Sequence, residues 1–388
     1  MTRRIQKRQK ITAAAITARI RDFQRNIRKV APHWLDETAG MAKGAAVTAD
    51  DILMLNCLPP GFYPATAPKH SCTSFVSIGR TENRLFKIRD ERNHIQCFYI
   101  VCNPDGKTIQ VGKDIGNLGT PHFLSDAVLA GANNTGSHTP FILDAPLLND
   151  CHILRYFGEK ASSCDDIPSL FERLIDKKVA GGAGKERGAI YLFADPEKGL
   201  MMETHSTDYT ATFIDKGVLV VSNHFFTAKA RPWISVAPNT NTLRRKQRMD
   251  FMMKKFKNTP SLQEVFAMSR DRKYAPHALC NDDRVHFWMT ISAQLHVISR
   301  RYPPDTVNYM CCGNTRHSVY APVPLSFKES YIPLLNGDFY READRLYRRH
   351  LCRPHMQAQQ QGFERFILTR TDYRAIFQDA YDLIRSTR

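Results

Sequence analysis

Apolar positions near the start of the chain recur at helical spacing. Ile16, Ile20, Phe23, Ile27 and Val30 stand four, three, four and three residues apart and make one face, so residues 1–46 are expected to be helical. Pro32 interrupts that helix, because proline lacks the amide donor a helix interior needs, and a second short helix follows through Leu35, Ala39 and Met41. Thr48, with Asp51 three residues on, reads as the cap of a third helix carrying Ile52 to Leu55. Pro59, Pro60, Gly61, Pro64 and Pro68 then predict an extended linker.

At Cys72 the pattern changes to strands. Thr73 to Ile78 and Leu85 to Arg89 read as one hairpin, and Ile95 to Cys102 and Thr108 to Val111 as a second, joined at Asn103-Pro104-Asp105-Gly106. Helices are expected at 146–158 and 166–178, and four strands at 188–194, 199–204, 208–214 and 218–222. Helical periods return at 239–256 and 260–269, strands at 289–299 and 305–312, and an Arg-rich helical tail runs from about 337 to 386. A strand-rich centre flanked by helix pairs predicts a layered α+β architecture.

The chain has 388 residues, 43% of them hydrophobic and 24% charged, which fits a globular protein with a full core. No run approaches the ~18 apolar residues of a membrane span, and no apolar segment follows Met1-Thr2-Arg3-Arg4 as a secretory signal requires. A cytoplasmic protein without a membrane partner is the expectation. The ten cysteines show no C-x-x-C and no zinc-type spacing, so most are expected to be reduced core residues. His277, Cys280 and His286 match no standard metal site. Gly181 to Glu186 is similar to a phosphate loop but lacks its Lys-Ser/Thr ending, and reads as a loop.

The net charge of +17 invites a nucleic-acid reading. The basic residues, however, gather at two ends, with Arg3, Arg4, Lys7, Arg8 and Lys10 at one and Arg341, Arg345, Arg348, Arg349 and Arg353 at the other. Such runs read as solvated helix faces rather than a nucleic-acid stripe, with attraction of an anionic substrate or partner as a further reading that the sequence leaves open.

Candidate chemistry centres on Cys72, which opens a strand directly behind a removable leader. Were the Ser71–Cys72 bond cut, Cys72 would hold both a thiol nucleophile and an α-amine base. Thr73 and Ser74 add hydroxyls beside it, and the return strand of the hairpin would bring Arg89 and Asp90 back to it, favouring thiolate and orienting the amine. Gly131-Ala132-Asn133-Asn134-Thr135-Gly136 offers amide donors for an oxyanion, although the same composition makes a plain turn. Ser222-Asn223-His224 ends an apolar strand, where polar residues line a site or simply stop the strand. Thr242, Arg245 and Arg248 recur along one helix as an anion clamp or a wet face.

In their common order these segments resemble the acyl-coenzyme A:6-aminopenicillanic-acid acyltransferase (isopenicillin N acyltransferase) family of N-terminal nucleophile hydrolases. Ala31 to Ala42 is similar to its helical leader and Leu55-Asn56 to the end of that leader. Cys72-Thr73-Ser74 is similar to its self-cleavage point, and Gly131-Ala132-Asn133 to the oxyanion segment of related hydrolases. Asp195 with Glu203, Ser222-Asn223-His224-Phe225, Thr242-x-x-Arg245-x-x-Arg248, Cys312-Gly313-Asn314 and Tyr320 to Leu325 follow in family order. Three departures stand out: Lys87-Ile88-Arg89-Asp90-Glu91-Arg92 replaces an Arg/Asn-x-x-Asp pattern, an Asn-Trp-Asp-Trp type of segment is absent, and Ser71 stands where glycine is common.

The resemblance implies a four-layer αββα sandwich, with a leader or propeptide at 1–71 and a catalytic domain at 72–388. It implies cleavage between Ser71 and Cys72, with the leader staying docked, and action on linear amides through an acyl-Cys72, as amidohydrolase or acyltransferase. Asn133 would stabilise the oxyanion; Asn223, Arg89 and Asp90 would orient amine and substrate; Thr73, Asn134, His224 and Arg245 would line the substrate site. No metal or organic cofactor is implied, and a coenzyme A thioester enters only as a co-substrate beside a small-molecule amide or acyl substrate. The alternative is an uncut basic protein that binds nucleic acid or an acidic partner; against it, no cluster interleaves aromatics with Lys and Arg.

Overall fold

The computed structural model describes residues 12–57, 71–91, 96–114, 116–143, 145–184, 186–283, 288–327, 332–348, 361–364 and 373–386. The proline-rich linker, the basic positions at 3–10, Arg92, Lys185, His286, Arg349 and Arg353 lie outside the described residues.

Three helices open the described chain: α1 (Ala13–Val30), α2 (His33–Ala45) and α3 (Ala49–Cys57). Thr12 caps α1 by accepting from the Ala15 N–H at 3.2 Å, and the stripe Ile16, Ile20, Phe23 and Ile27 is the face it buries. Thr48 and Asp51 exchange backbone-to-side-chain bonds of 3.1 Å ahead of α3, the cap the spacing predicted.

The strands are β1 (Ser71–Ile78), β2 (Glu82–Glu91), β3 (Gln96–Cys102), β4 (Thr108–Asp114), β5 (His122–Ser125) and β6 (Ala130–His138). After α4 (Asp150–Lys160) and α5 (Asp166–Asp176) come β7 (Arg187–Ala194), β8 (Gly199–Thr204), β9 (Tyr209–Ile214) and β10 (Gly217–Val221). Then follow α6 (Thr240–Lys255), α7 (Leu262–Met268), β11 (Asp282–Asp283), β12 (Trp288–Ser299), β13 (Val307–Cys312), β14 (Ala321–Pro324), α8 (Ile332–Leu335), α9 (Asp338–Arg348) and α10 (Tyr373–Ser386).

These strands make two antiparallel sheets. One runs β10-β1-β2-β12-β13-β14, with β11 beside β12; the other runs β3-β4-β5-β6-β7-β8-β9. Alternation along each strand sorts the layers. On β1, Val76 and Ile78 face between the sheets and pack with Leu124, Ala130, Ala132 and Ile190. Phe75 faces the other way, onto Met249 and Met252 of α6 and Phe266 of α7. On the far side of the second sheet, Phe123, Tyr191 and Phe193 pack with Phe157 of α4, Phe171 of α5 and the leader residues Phe23 and Trp34. The order is helices, sheet, sheet, helices: the four-layer αββα arrangement.

Polar groups also tie the N-terminal helices down. The buried Glu159 carboxylate accepts from Trp34 Nε1 at 3.0 and 3.1 Å, from Arg155 Nε at 2.7 Å, and meets His33 Nε2 at 2.9 Å. Arg155 bonds Glu37 at 2.5 Å and lies 5.0 Å over the Trp34 ring. Burial pushes the Glu159 carboxyl upward, but the His33 hydrogen bond and the Arg155 charge outweigh it and hold the group below its ordinary value.

Composition misleads at Gly131 to Gly136. The segment reads as a turn yet lies within β6, its glycines there for space: a Cβ at Gly131 would run into the Phe123 ring, and one at Gly136 into Phe225. The short strand β5 carries no periodic pattern that the sequence alone would mark.

Candidate active site

The register builds the site around Cys72. Cys72 pairs with Arg89 and Ser71 with Asp90 across β1 and β2. Antiparallel pairing of Ser74 with Val221, carried two residues on, sets Asn223 opposite Cys72 just past the end of β10. Cys72 shares the inner phase of Ser74 and Val76, whereas Thr73 faces α6.

The Cys72 backbone N–H donates to Asn223 Oδ1 at 2.8 Å. Asn223 is held by further hydrogen bonds. Its N–H donates to Thr242 Oγ1 at 2.8 Å, its Nδ2 to the Thr135 carbonyl at 2.9 Å, and Arg245 Nη2 reaches its Oδ1 at 2.7 Å. Arg245, 1% exposed, also donates through Nη1 to the Cys72 carbonyl and to Thr73 Oγ1 at 2.6 Å, and through Nε to Asn241 Oδ1 at 2.8 Å. One guanidinium thus fixes the backbone of Cys72 and the asparagine that faces it. Burial lowers the Arg245 pKa; the negative charge of Asp90 works against that shift. Asn241 also accepts from Ser71 Oγ at 3.4 Å, so both sides of the Ser71–Cys72 bond are held from α6.

Arg89 and Asp90 part company, because neighbours in a strand face opposite ways. Arg89 points between the sheets and makes a two-pronged pair with Asp114, 2.9 Å at each prong, plus a bond to Gln96 Oε1 at 3.0 Å. Asp90 points toward the Arg245 layer and accepts from Thr290 Oγ1 at 2.6 Å. Burial raises its carboxyl to about 7, against the pull of the Arg245 charge and the Thr290 hydrogen bond.

The other expected residues have their own engagements. Asn133 Nδ2 donates to Asp150 at 2.7 Å and meets Cys151 Sγ at 3.4 Å, while its two oxygens receive the buried Lys87 ammonium. Asn134 bridges the sheets, accepting from Ser74 Oγ at 2.7 Å and donating to the Ser222 carbonyl at 3.1 Å. His224 Nδ1 lies 3.0 Å from Thr242 Oγ1 and 3.2 Å from Ser222 Oγ. Burial, helped by the charges of Lys246 and Arg245, lowers it to about 4 and keeps it neutral near pH 7. Arg248 turns away from Cys72 to pair with Asp271 at 2.5 Å, so the suggested clamp divides and Arg245 alone enters the site.

The sequence marks Lys87 only as the start of the run Lys87 to Arg92, and nothing in it marks Asn241 or Thr290. Lys87 occupies the inner phase of β2, two residues from Arg89, which the hairpin periodicity contains; Asn241 stands one helical turn before Arg245. No feature of the sequence near Thr290 points to Asp90. Among the described residues, no group of three or more His, Cys, Asp or Glu could hold a metal ion.

No family model matches the chain, and no curated protein matches it. Among solved structures it is similar to a mutant of the conjugated bile acid hydrolase from Clostridium perfringens, at 10% identity over 66% of this chain and 93% of that one, with a TM-score of 0.42. A second variant of that hydrolase matches at 10% identity over 67% and 94%, with a TM-score of 0.40. The N-acylethanolamine-hydrolyzing acid amidase ortholog of Caenorhabditis elegans matches at 10% identity over 60% and 94%, with a TM-score of 0.39. None of these likenesses assigns a role to a residue of this chain.

Proposed function

We propose that this chain is a self-processing enzyme with Cys72 as its N-terminal nucleophile, cleaving linear amides as an amidohydrolase or acyltransferase. The observation that carries the reading is the setting of the Cys72 nitrogen. A peptide N–H needs one acceptor, and Asn223 supplies it at 2.8 Å; that acceptor and the Cys72 carbonyl are in turn gripped by one buried arginine. The same acceptor suits a hydrogen of a free α-amine and would leave the amine lone pair for the thiol of its own residue.

In processing, Cys72 Sγ attacks the Ser71 carbonyl carbon. The C–S bond forms, the C–N bond breaks, and the nitrogen takes the thiol proton. Water then hydrolyses the thioester, giving a Ser71 carboxylate and a free Cys72 thiol and α-amine. In turnover the amine takes the thiol proton, Sγ attacks the substrate carbonyl, and the proton passes to the departing amine. Water or an acceptor amine completes the cycle by attacking the acyl-Cys72 carbonyl. Asn223 orients the α-amine, Arg245 positions Asn223 and the Cys72 backbone, and Asp90, once ionised above about pH 7, supplies its countercharge. Arg89 stands beside Cys72 on the inner face. Asn133 joins the oxyanion site by exchanging its Asp150 contact for substrate. The chemistry needs no cofactor, and the Trp34–Glu159–Arg155 cluster supports retention of the leader after the cut.

Intact mass under denaturing conditions, beside a Cys72→Ala control, tests the reading. Two fragments meeting at Ser71 and Cys72, absent from the control, are expected. A single uncut chain with full amidase turnover, or turnover retained in Cys72→Ala, would overturn it.

A further inference from the structure

Helix α6 has two working sides. One buries Arg245, Met249, Met252 and Met253; the other faces solvent. On the solvent side Leu243 is 47% and Phe251 56% exposed. At 3.6 residues per turn, Leu243, Lys254, Gln247 and Phe251 fall within about 80° of the helix circumference, with Arg244 and Lys255 just beyond. The next segment completes the patch. Tyr274 is 41% exposed, and Lys273 Nζ lies 5.5 Å from its ring and 6.0 Å from that of Phe251. The nearby carboxylates are already matched, Asp250 to Lys246 at 2.8 Å and Asp271 to Arg248 at 2.5 Å. The fold thereby assembles the interleaved basic and aromatic surface that the linear sequence did not suggest.

We propose that this face docks on an anionic lipid bilayer. Leu243, Phe251 and Tyr274 would enter the boundary between headgroups and acyl chains, and Arg244, Lys254, Lys255 and Lys273 would meet the anionic headgroups. Charge complementarity alone would also suit a nucleic acid, but the apolar groups select lipid. Leu243 has no π face on which a base could stack, and Phe251 has Arg248 Cζ 5.4 Å and Lys273 Nζ 6.0 Å from its ring. Because Arg245, on the buried side of the same helix, holds Cys72, docking would fix the orientation of the Cys72 region relative to the membrane. The inference goes beyond the catalytic reading and does not depend on cleavage at Cys72.

The test is co-sedimentation of the full chain with vesicles of phosphatidylcholine containing phosphatidylserine, against phosphatidylcholine alone. Binding to the anionic vesicles that weakens with added salt is expected. Replacing Arg244, Lys254 and Lys255 together by glutamine should weaken it on the order of 100-fold, at about fivefold per cation. Phe251→Ser with Leu243→Ser should weaken binding even at low salt. Circular dichroism confirms that each variant is folded. Equal sedimentation of the glutamine variant, no sedimentation with anionic vesicles, or capture of a single-stranded oligonucleotide in their place would overturn the proposal.

Discussion

Trp34→Ala asks whether the leader and the sandwich are one cooperative unit. Trp34 is fully buried, its Nε1 bonds the Glu159 carboxylate at 3.0 and 3.1 Å, and the Arg155 guanidinium lies 5.0 Å over its ring. Truncation leaves a cavity costing about 3–5 kcal/mol and removes a hydrogen bond to a charged group, about 1.5–3 kcal/mol. These contributions share partners and do not add fully, so roughly 5–7 kcal/mol is expected. That is a large share of the ~5–15 kcal/mol that holds a domain folded. Trp34→Phe keeps most of the packing and should lose about 2–3 kcal/mol. The assay is urea unfolding followed by tryptophan fluorescence; Trp233, which packs against Phe225 and His205 far along the chain, reports on the sandwich. The whole transition should move to lower urea with its slope unchanged. If Trp34→Ala leaves the later transition at the wild-type midpoint and adds a separate early one, the leader is an appendage and the reasoning fails.

Arg245→Lys keeps a charge, but its single nitrogen cannot reach Cys72, Thr73, Asn223 and Asn241 together; losing two charge-assisted bonds should slow cleavage at Ser71–Cys72 about 10²–10⁴-fold. Processing of Arg245→Lys at the wild-type rate, followed by mass spectrometry against time, would reduce Arg245 to a packing role. Burial raises Asp90 from 3.8 to about 7, so between these values the folded chain keeps a proton that the unfolded chain has released, and stability falls as pH rises through the window. The Tm gain of Asp90→Asn over the parent should therefore grow from pH 4 to pH 7; a constant difference contradicts the shift. Burial lowers His296 from 6.5 to about 3, so the unfolded chain takes up the proton first and stability falls as pH drops from 6.5 toward 3. His296→Gln should flatten that acid loss in the same Tm series.

Local chemistry was legible where one physical rule governs a segment. The leader stripe, the break at Pro32, the Thr48–Asp51 cap and the four central strands follow from periods and caps that need no distant partner. Gly131 to Gly136 was not legible, because small residues serve equally for tight turns and for a strand crowded by Phe123 and Phe225. The hairpin spacing predicted that Arg89 and Asp90 return to Cys72, and the register pairs Arg89 with Cys72 and Asp90 with Ser71. What spacing did not convey is that the two side chains serve different layers, one joining Asp114 and the other facing Arg245 and Thr290.

By itself the sequence determined the N-terminal helices, the strand that opens at Ser71–Cys72 and the polar residues available to it, because caps, prolines and two- or 3.6-residue periods act within a few positions of themselves. Only the tertiary structure decided which of those residues meet. Asn223 faces Cys72 because β10 pairs with β1, Arg245 enters the site while Arg248 leaves it because Asp271, beyond α7, pairs with Arg248, and Asn133 is drawn to Asp150 because α4 begins there. Such choices depend on contacts between positions from 17 to 151 residues apart, where pairing and burial, not local propensity, set the outcome.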